Sequence, residues 1–220
     1  MTDWVPLTLS IQVAGMATLA AAILGIALGS LLASARFPGR NLLDALITVP
    51  MVLPPTVLGY YLLVAVGRGS AVGRAYEVAF GGPLVFTKAA AVLAATVSCL
   101  PLVVKSARAA LEGVDESFVR AALTLGAGPL RRFFAVRLPL AARGIGAGLV
   151  LGFARALGDF GVTLMVAGNI PGETQTAPLA IYDAVQANRY AQASTMALWL
   201  VLFALATLYS VAHLTRKVPL

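Results

Sequence analysis

The chain has 220 residues, 60% hydrophobic and only 11% charged, with a mean hydropathy of +0.89 and a formal charge of +7. Soluble domains average about 45–50% apolar and about 25% charged residues, so the composition excludes a water-soluble domain and predicts one integral membrane domain over residues 1–220. The excess of 16 Lys and Arg over 9 Asp and Glu would suggest nucleic acid in a soluble chain, but in a membrane protein it predicts basic cytoplasmic loops.

No charge occurs between Trp4 and Ala35, more than the roughly 20 apolar residues that cross about 30 Å of hydrocarbon, so a first span is predicted over 8–35. Ala33-Ser34-Ala35 has the small-x-small look of a signal cleavage site, yet Asp3, the absence of an N-terminal cation and the long apolar run favour a retained helix. The second span, 45–66, holds Pro50 and Pro54-Pro55 and reads as one kinked helix buried in a bundle, whose neighbours satisfy the freed carbonyls. A third is predicted over 84–104, with Lys88 snorkelling to the near interface and Pro101 as a late kink. The fourth, 145–167, contains Arg155 and Asp159, and the fifth, 193–214, ends on Arg216-Lys217. Cys99, the only cysteine, reads as a small core residue, and His213, the only histidine, as interfacial. Arg36, Arg40, Lys105, Arg108, Arg120, Arg131, Arg132, Arg137, Arg143, Arg216 and Lys217 follow spans one, three and five, against Arg68, Arg74, Lys88 and Arg189 on the other side. The basic majority predicts an external amino terminus and a cytoplasmic carboxyl terminus.

Segment 112–139, between spans three and four, combines charge with helical periodicity. Phe118, Ala121, Ala122 and Leu125 fall at i, i+3, i+4 and i+7, Asp115 is placed to cap the helix with Glu116 in its first turn, and Gly126 to stop it. A second helix is predicted to start at Pro129, bury Leu130, Phe133 and Phe134, and end at Pro139. Such a basic hairpin suits anionic headgroups or a cytosolic protein; small Ala121, Ala122 and Gly126 beside Arg131 and Arg132 favour the protein.

Ala121-Ala122, Gly126 and Val136-Arg137-Leu138-Pro139 stand in register with E-A-A-x3-G-x9-I-x-L-P, the cytoplasmic-loop motif of ABC importer permeases. Arg120 occupies the glutamate position and Val136 the isoleucine position, which changes one contact and leaves the scaffold. Phe37-Pro38-Gly39, Leu53-Pro54-Pro55-Thr56-Val57-Leu58-Gly59-Tyr60, Leu111-Glu112-Gly113-Val114-Asp115, Gly158-Asp159-Phe160-Gly161 and Asn169-Ile170-Pro171-Gly172-Glu173-Thr174-Gln175-Thr176 resemble the molybdate importer permeases; sulfate/thiosulfate permeases share several of these segments. The resemblance implies an all-α integral membrane protein with the type I ABC importer permease fold: five or six transmembrane helices and a cytoplasmic coupling-helix hairpin. It also implies a homodimer in a bacterial or archaeal cytoplasmic membrane, with two cytosolic ATPase subunits docked on Phe118, Arg120, Ala121, Ala122, Leu125, Gly126, Ala127, Val136, Leu138 and Pro139. An extracytoplasmic binding protein would deliver a tetrahedral oxyanion near 169–189, where a turn at Pro171-Gly172 precedes a short helix. Molybdate is the expected oxyanion, with tungstate and sulfate as alternatives. The chain has no phosphate loop ending in Gly-Lys-Ser/Thr, so no cofactor is expected on it, and ATP and magnesium would belong to the partner ATPase. No nucleic-acid partner is expected.

A path for a dianion needs neutral donors and modest positive potential rather than a deep cationic trap. Thr56, Tyr60, Tyr61, Thr96, Ser98 and Thr163 are the neutral candidates within spans. Arg155 and Asp159 lie four residues apart and can pair, offsetting a burial cost of about 2.5–3.5 kcal/mol each at a helix centre. The pair reads equally as a pathway element contributing positive potential and as a lock on helix register. Two rival classes are a gradient-driven carrier, which would show repeats or paired broken helices, and a scaffold whose hairpin recruits an enzyme.

Overall fold

A computed structural model describes residues 4–34 and 37–216, with side chains as far as Tyr209. Ala35, Arg36 and Lys217 lie outside the described residues, and His213 and Arg216 outside the described side chains. The described chain is helical: α1 Val5–Ser34, α2 Arg40–Val52, α3 Pro55–Val66, α4 Ala71–Phe80, α5 Lys88–Glu112, α6 Glu116–Thr124, α7 Pro129–Arg132, a π turn Phe133–Arg137, α8 Leu138–Leu157, α9 Gly161–Ala167, α10 Ala177–Gln186 and α11 Tyr190–Arg216.

Alanine and glycine determine the packing. In α5, Ala90, Ala91, Ala94, Ala95 and Ala107 are fully enclosed, and the helix lies between α1 and α8. Gly25 and Gly29 of α1 approach one side of it, and Gly148 and Gly152 of α8 the other. A Cβ on Gly148 would lie 2.3 Å from Ser106 Cβ, and one on Gly29 would lie 2.9 Å from Ala107 Cβ. Glycines four apart share one helix stripe, so the backbones can close to van der Waals contact, the main packing force where lipid is as apolar as the side chains. Val13, Ala17, Cys99, Val103, Val162 and Val166 continue this core, and Cys99 is buried as expected.

The polar groups define two ends. At the basic end, Asp44 of α2 pairs with Lys105 at 2.6 Å and Arg108 at 3.2 Å, while Arg40 reaches Glu112 at 3.2 Å. At the opposite end, Ser10 Oγ of α1 accepts from the Ala177 N–H at 2.7 Å, Lys88 meets Gln12, and Trp4 stands edge-on to Trp199.

Several expected boundaries are corrected. Residues 45–66 are not one continuous kinked helix: α2 and α3 are separate helices bent by 118°, a broken span or a re-entrant pair. Leu53 and Pro54 are both extended, at φ/ψ −69°/140° and −53°/137°, because each precedes a proline and is excluded from the helical region. Pro55 then starts α3. At 13 and 12 residues, each arm is about 20 Å long or less, short of the hydrocarbon thickness. Moreover, no residue of α2 is buried. The described residues therefore provide four helices long and apolar enough to cross a membrane, or five with the bent pair taken as one.

The third span starts at Lys88, where Thr87 Oγ1 accepts from Ala90 N, and runs through the buried Pro101 to Glu112, eight residues past its expected end. The fourth is divided. Its helix ends at Leu157, and Gly158, Asp159 and Phe160 separate it from α9. Nor does Pro139 end the hairpin's second arm: Pro129–Leu157 forms one apolar segment of 29 residues. The π turn makes this possible. Leu138 N–H donates to Phe133 O across five residues, and Pro139 enters the first turn of α8, where its missing N–H is tolerated.

Candidate functional site

The hairpin forms as its caps predict. Asp115 Oδ1 accepts the Ser117 backbone N–H at 2.8 Å, and this bond holds the Asp115 carboxyl below the usual carboxylate range. At the other end, Gly126 has φ +77°; its N–H donates to Leu123 O at 2.9 Å and the Ala127 N–H to Ala122 O at 3.0 Å. These two bonds form a Schellman closure, and the left-handed residue in it is glycine because a side chain would strain that conformation.

Most apolar side chains of the hairpin are turned outward, while Phe133 is half-buried against the bundle, as expected. Phe118 is 55% exposed, Leu123 53%, Leu125 87%, Leu130 74% and Phe134 61%, so the expected burial of Leu130 and Phe134 is not found. Only Val119 of α6 is buried. Ala121 and Gly126 lie exposed between these residues, and Ala122 and Ala127 are half-buried. Arg120 is exposed and makes no hydrogen bond or ion pair among the described residues. Phe118, Leu123, Leu125, Leu130 and Phe134 form an exposed apolar crown at the hairpin. Val136, Leu138 and Pro139 lie elsewhere, in the π turn and the start of α8, with Leu138 packed near Ala107, Leu111, Ala141 and Ile145. They shape the rod behind the crown.

Arg137, read in the sequence as a loop cation, fastens the hairpin to the bundle. One guanidinium nitrogen donates to Ser34 Oγ of α1 at 3.0 Å and another pairs with Glu116 of α6. The Glu116 and Arg137 positions in the sequence carried no sign of this pairing, because the contact joins three separate elements.

The candidate pathway residues separate into two groups. Thr56, Tyr60 and Tyr61 lie exposed on α3, with Tyr60 at 54%. By contrast, Asp159 and Thr163 are buried, at 2% and 1% exposure. Ser98 Oγ donates to Asp159 Oδ1 at 2.9 Å, and Arg155 Nη1 reaches the same oxygen at 3.2 Å. The other oxygen accepts the Thr163 backbone N–H at 3.0 Å and the Thr163 hydroxyl at 2.7 Å. Arg155 and Asp159 pair as their spacing suggests, but across a helix end rather than along one helix. Thr96 instead donates to Val92 O within α5. Behind the exposed face of α3, Gly59 meets Met165 and Gly161 meets Pro55, which seats α3 closely on α9.

At the opposite end, the Glu173, Thr174 and Gln175 N–H groups all donate to Ile170 O, and Gln175 Nε2 donates to Asp183 at 2.8 Å. Thr174, Gln175 and Thr176 are buried, leaving Pro171, Gly172 and Glu173 as the exposed tip before α10.

The described residues thus form a close-packed apolar bundle that carries an outward-facing crown on a long rod. The chain belongs to the binding-protein-dependent transport system inner membrane component family, whose model matches residues 25–219. It is 47% identical over 184 residues to the molybdenum transport system permease protein ModB of Escherichia coli K12, covering 84% of this chain and 80% of that one. It is 42% identical over 212 residues to ModB of Haemophilus influenzae, covering 96% and 93%. The fold is that of type I ABC importer permeases: the inward-facing MetNI methionine ABC transporter matches with a TM-score of 0.75 at 17% identity, over 98% of this chain and 95% of that one. These relatives are multi-pass membrane permeases, and the molecule is a transport subunit of that kind.

Proposed function

We propose that this chain is the permease subunit of an ATP-driven importer that carries molybdate across a bacterial or archaeal cytoplasmic membrane. Two copies form the path, two cytosolic ABC ATPase subunits hold ATP and magnesium, and an extracytoplasmic binding protein supplies the oxyanion. The observation that carries this reading is the crown of Phe118, Leu125, Leu130 and Phe134 on an apolar rod of 29 residues. A surface of this kind is stable when a partner covers it, and a rod attached to it carries the partner's motion into the bundle.

The basic end, with Arg40, Lys105, Arg108 and Arg137, faces the cytoplasm, so the crown meets the ATPase there and the Pro171 tip faces outward toward the binding protein. The exposed α3 face with Thr56 and Tyr60 lines the path against its counterpart in the second copy. There it offers hydroxyls without a fixed cation. The Arg155 charge is largely compensated by Asp159, which suits a site that must release a dianion as well as admit it.

The test is reconstitution of the permease with its ATPase and binding protein in proteoliposomes, followed by labelled molybdate uptake with and without enclosed ATP. ATP-dependent uptake, competed by tungstate and weakly by sulfate, is expected. Uptake without ATP would replace this reading with a gradient-driven carrier. A bound ATPase with no transport would make the chain a scaffold.

A further inference from the structure

We infer that Asp159 is a positioning residue for transport: its carboxylate clamps the break between α8 and α9 and passes the motion of the rod to the α3 face. This inference rests on the ATP-driven reading above. The rod from Pro129 to Leu157 ends at Gly158, and beyond it Phe160 has left the helical region, at φ −126° and ψ −62°. A three-residue link with a glycine transmits little force through its backbone. Asp159 bypasses it.

One oxygen of Asp159 takes Arg155 from the last turn of the rod and Ser98 from central α5. The other takes both the amide and the hydroxyl of Thr163, in the first turn of α9. So a single buried carboxylate ties the end of the lever, the fixed central helix and the element beyond the break. From α9 the contact continues by close packing, Met165 on Gly59 and Gly161 on Pro55, to the helix that exposes Thr56 and Tyr60.

The group has two features of a mechanical joint. It is fully satisfied, with four donors on two oxygens, so it holds one geometry rather than several. It also stands where the rod is interrupted, so displacement of the rod must either carry α9 along or break these bonds. If Asp159 served only to cap α9, the contacts to Arg155 and Ser98 would be unnecessary.

The experiment uses the complete reconstituted importer and measures ATP hydrolysed per molybdate transported. In Asp159→Asn the ion pair to Arg155 is lost, and in Ser98→Ala the tie to α5, while the Thr163 amide keeps an acceptor in both. Hydrolysis stimulated by the binding protein should persist while uptake falls, raising the ATP cost per oxyanion by roughly five- to tenfold in Asp159→Asn and less in Ser98→Ala, the scale of a coupling free energy. Asp159→Glu, which keeps the charge, should lie nearer wild type. Should both variants fold, hydrolyse ATP and transport at the wild-type ratio, the clamp is refuted. A parallel fall of hydrolysis and uptake at constant ratio would also refute it, leaving a purely structural role. Absence of ATP-driven uptake by the wild-type assembly would instead overturn the proposed function, and this inference with it.

Discussion

The hairpin tip and the interior around Asp159 manage exposed and buried chemistry in opposite ways. At the tip, Phe118, Leu125, Leu130 and Phe134 stand in the open with little behind them, whereas Asp159 is enclosed and every donor around it is used. The first region has apolar surface without a cover and the second has a charge without solvent. Each arrangement would be costly in an isolated soluble domain. Side by side they match the proposed division of labour, in which the exposed part meets an ATPase and the enclosed part holds its geometry under load.

Variants can break this contrast. The largest effect is expected from Gly148→Leu, because its first added atom already meets Ser106 Cβ at 2.3 Å. Strain at the top of the roughly 1–3 kcal/mol range for overpacking should separate α8 from α5. The expected result is loss of the monodisperse peak in detergent chromatography, together with a collapsed thermal transition. At the tip, Leu125→Glu should leave the thermal midpoint unmoved but reduce ATPase co-purification about tenfold, as expected for a buried contact residue. An unchanged yield of complex would mean that the crown is not the docking surface.

A smaller effect is expected at Gly126. A Cβ there meets nothing within 4 Å, so Gly126→Ala isolates the cost of placing a side chain at φ +77°, about 1–2 kcal/mol. ATPase co-purification should weaken a few-fold, and more in Gly126→Trp, which adds bulk in the crown, while the spans remain inserted. The smallest effect is a pH dependence. The Asp115 cap is held by an ionised carboxyl whose pKa is lowered on folding. Its stabilisation is therefore present above the ordinary aspartate pKa of about 4 and fades as pH falls through the lowered value. Hydrogen exchange at Ser117 and Phe118 should accelerate in that acid window, with the acceleration absent in Asp115→Asn.

How much of this could be read beforehand depended on whether the signal was local. Asp115, Gly126 and the apolar runs of α1, α5 and α11 were legible because capping, left-handed turns and membrane length act within a few residues of sequence. Proline misled in both directions. At Pro54-Pro55 the prolines drove Leu53 and Pro54 out of the helix, giving a sharp bend rather than a kink, while Pro139 entered a helix that the π turn had already widened for it. The glycines of α1 and α8 did carry a signal: Gly25 with Gly29, and Gly144 with Gly148 and Gly152, repeat at four residues and mark the stripes against α5. Leu130 and Phe134 read as core because an apolar side chain has the same pattern whether its cover belongs to the same chain or to another. The Asp159 clamp was half legible. Its spacing from Arg155 gave the pair, but Ser98 comes from 61 residues away and only the folded bundle brings it there.

The π turn at Phe133–Arg137 also fixes an orientation. It contains one residue more than the helix on either side would need for the same turn. Each residue advances a helix by about 100°, so removing that residue would swing the crown by about the same angle around the rod while leaving every side chain at the tip intact. The direction in which the tip faces is thus stored as a residue count. A single-residue deletion there would turn the proposed docking surface in another direction even with Arg137 and its partners Ser34 and Glu116 retained in the sequence.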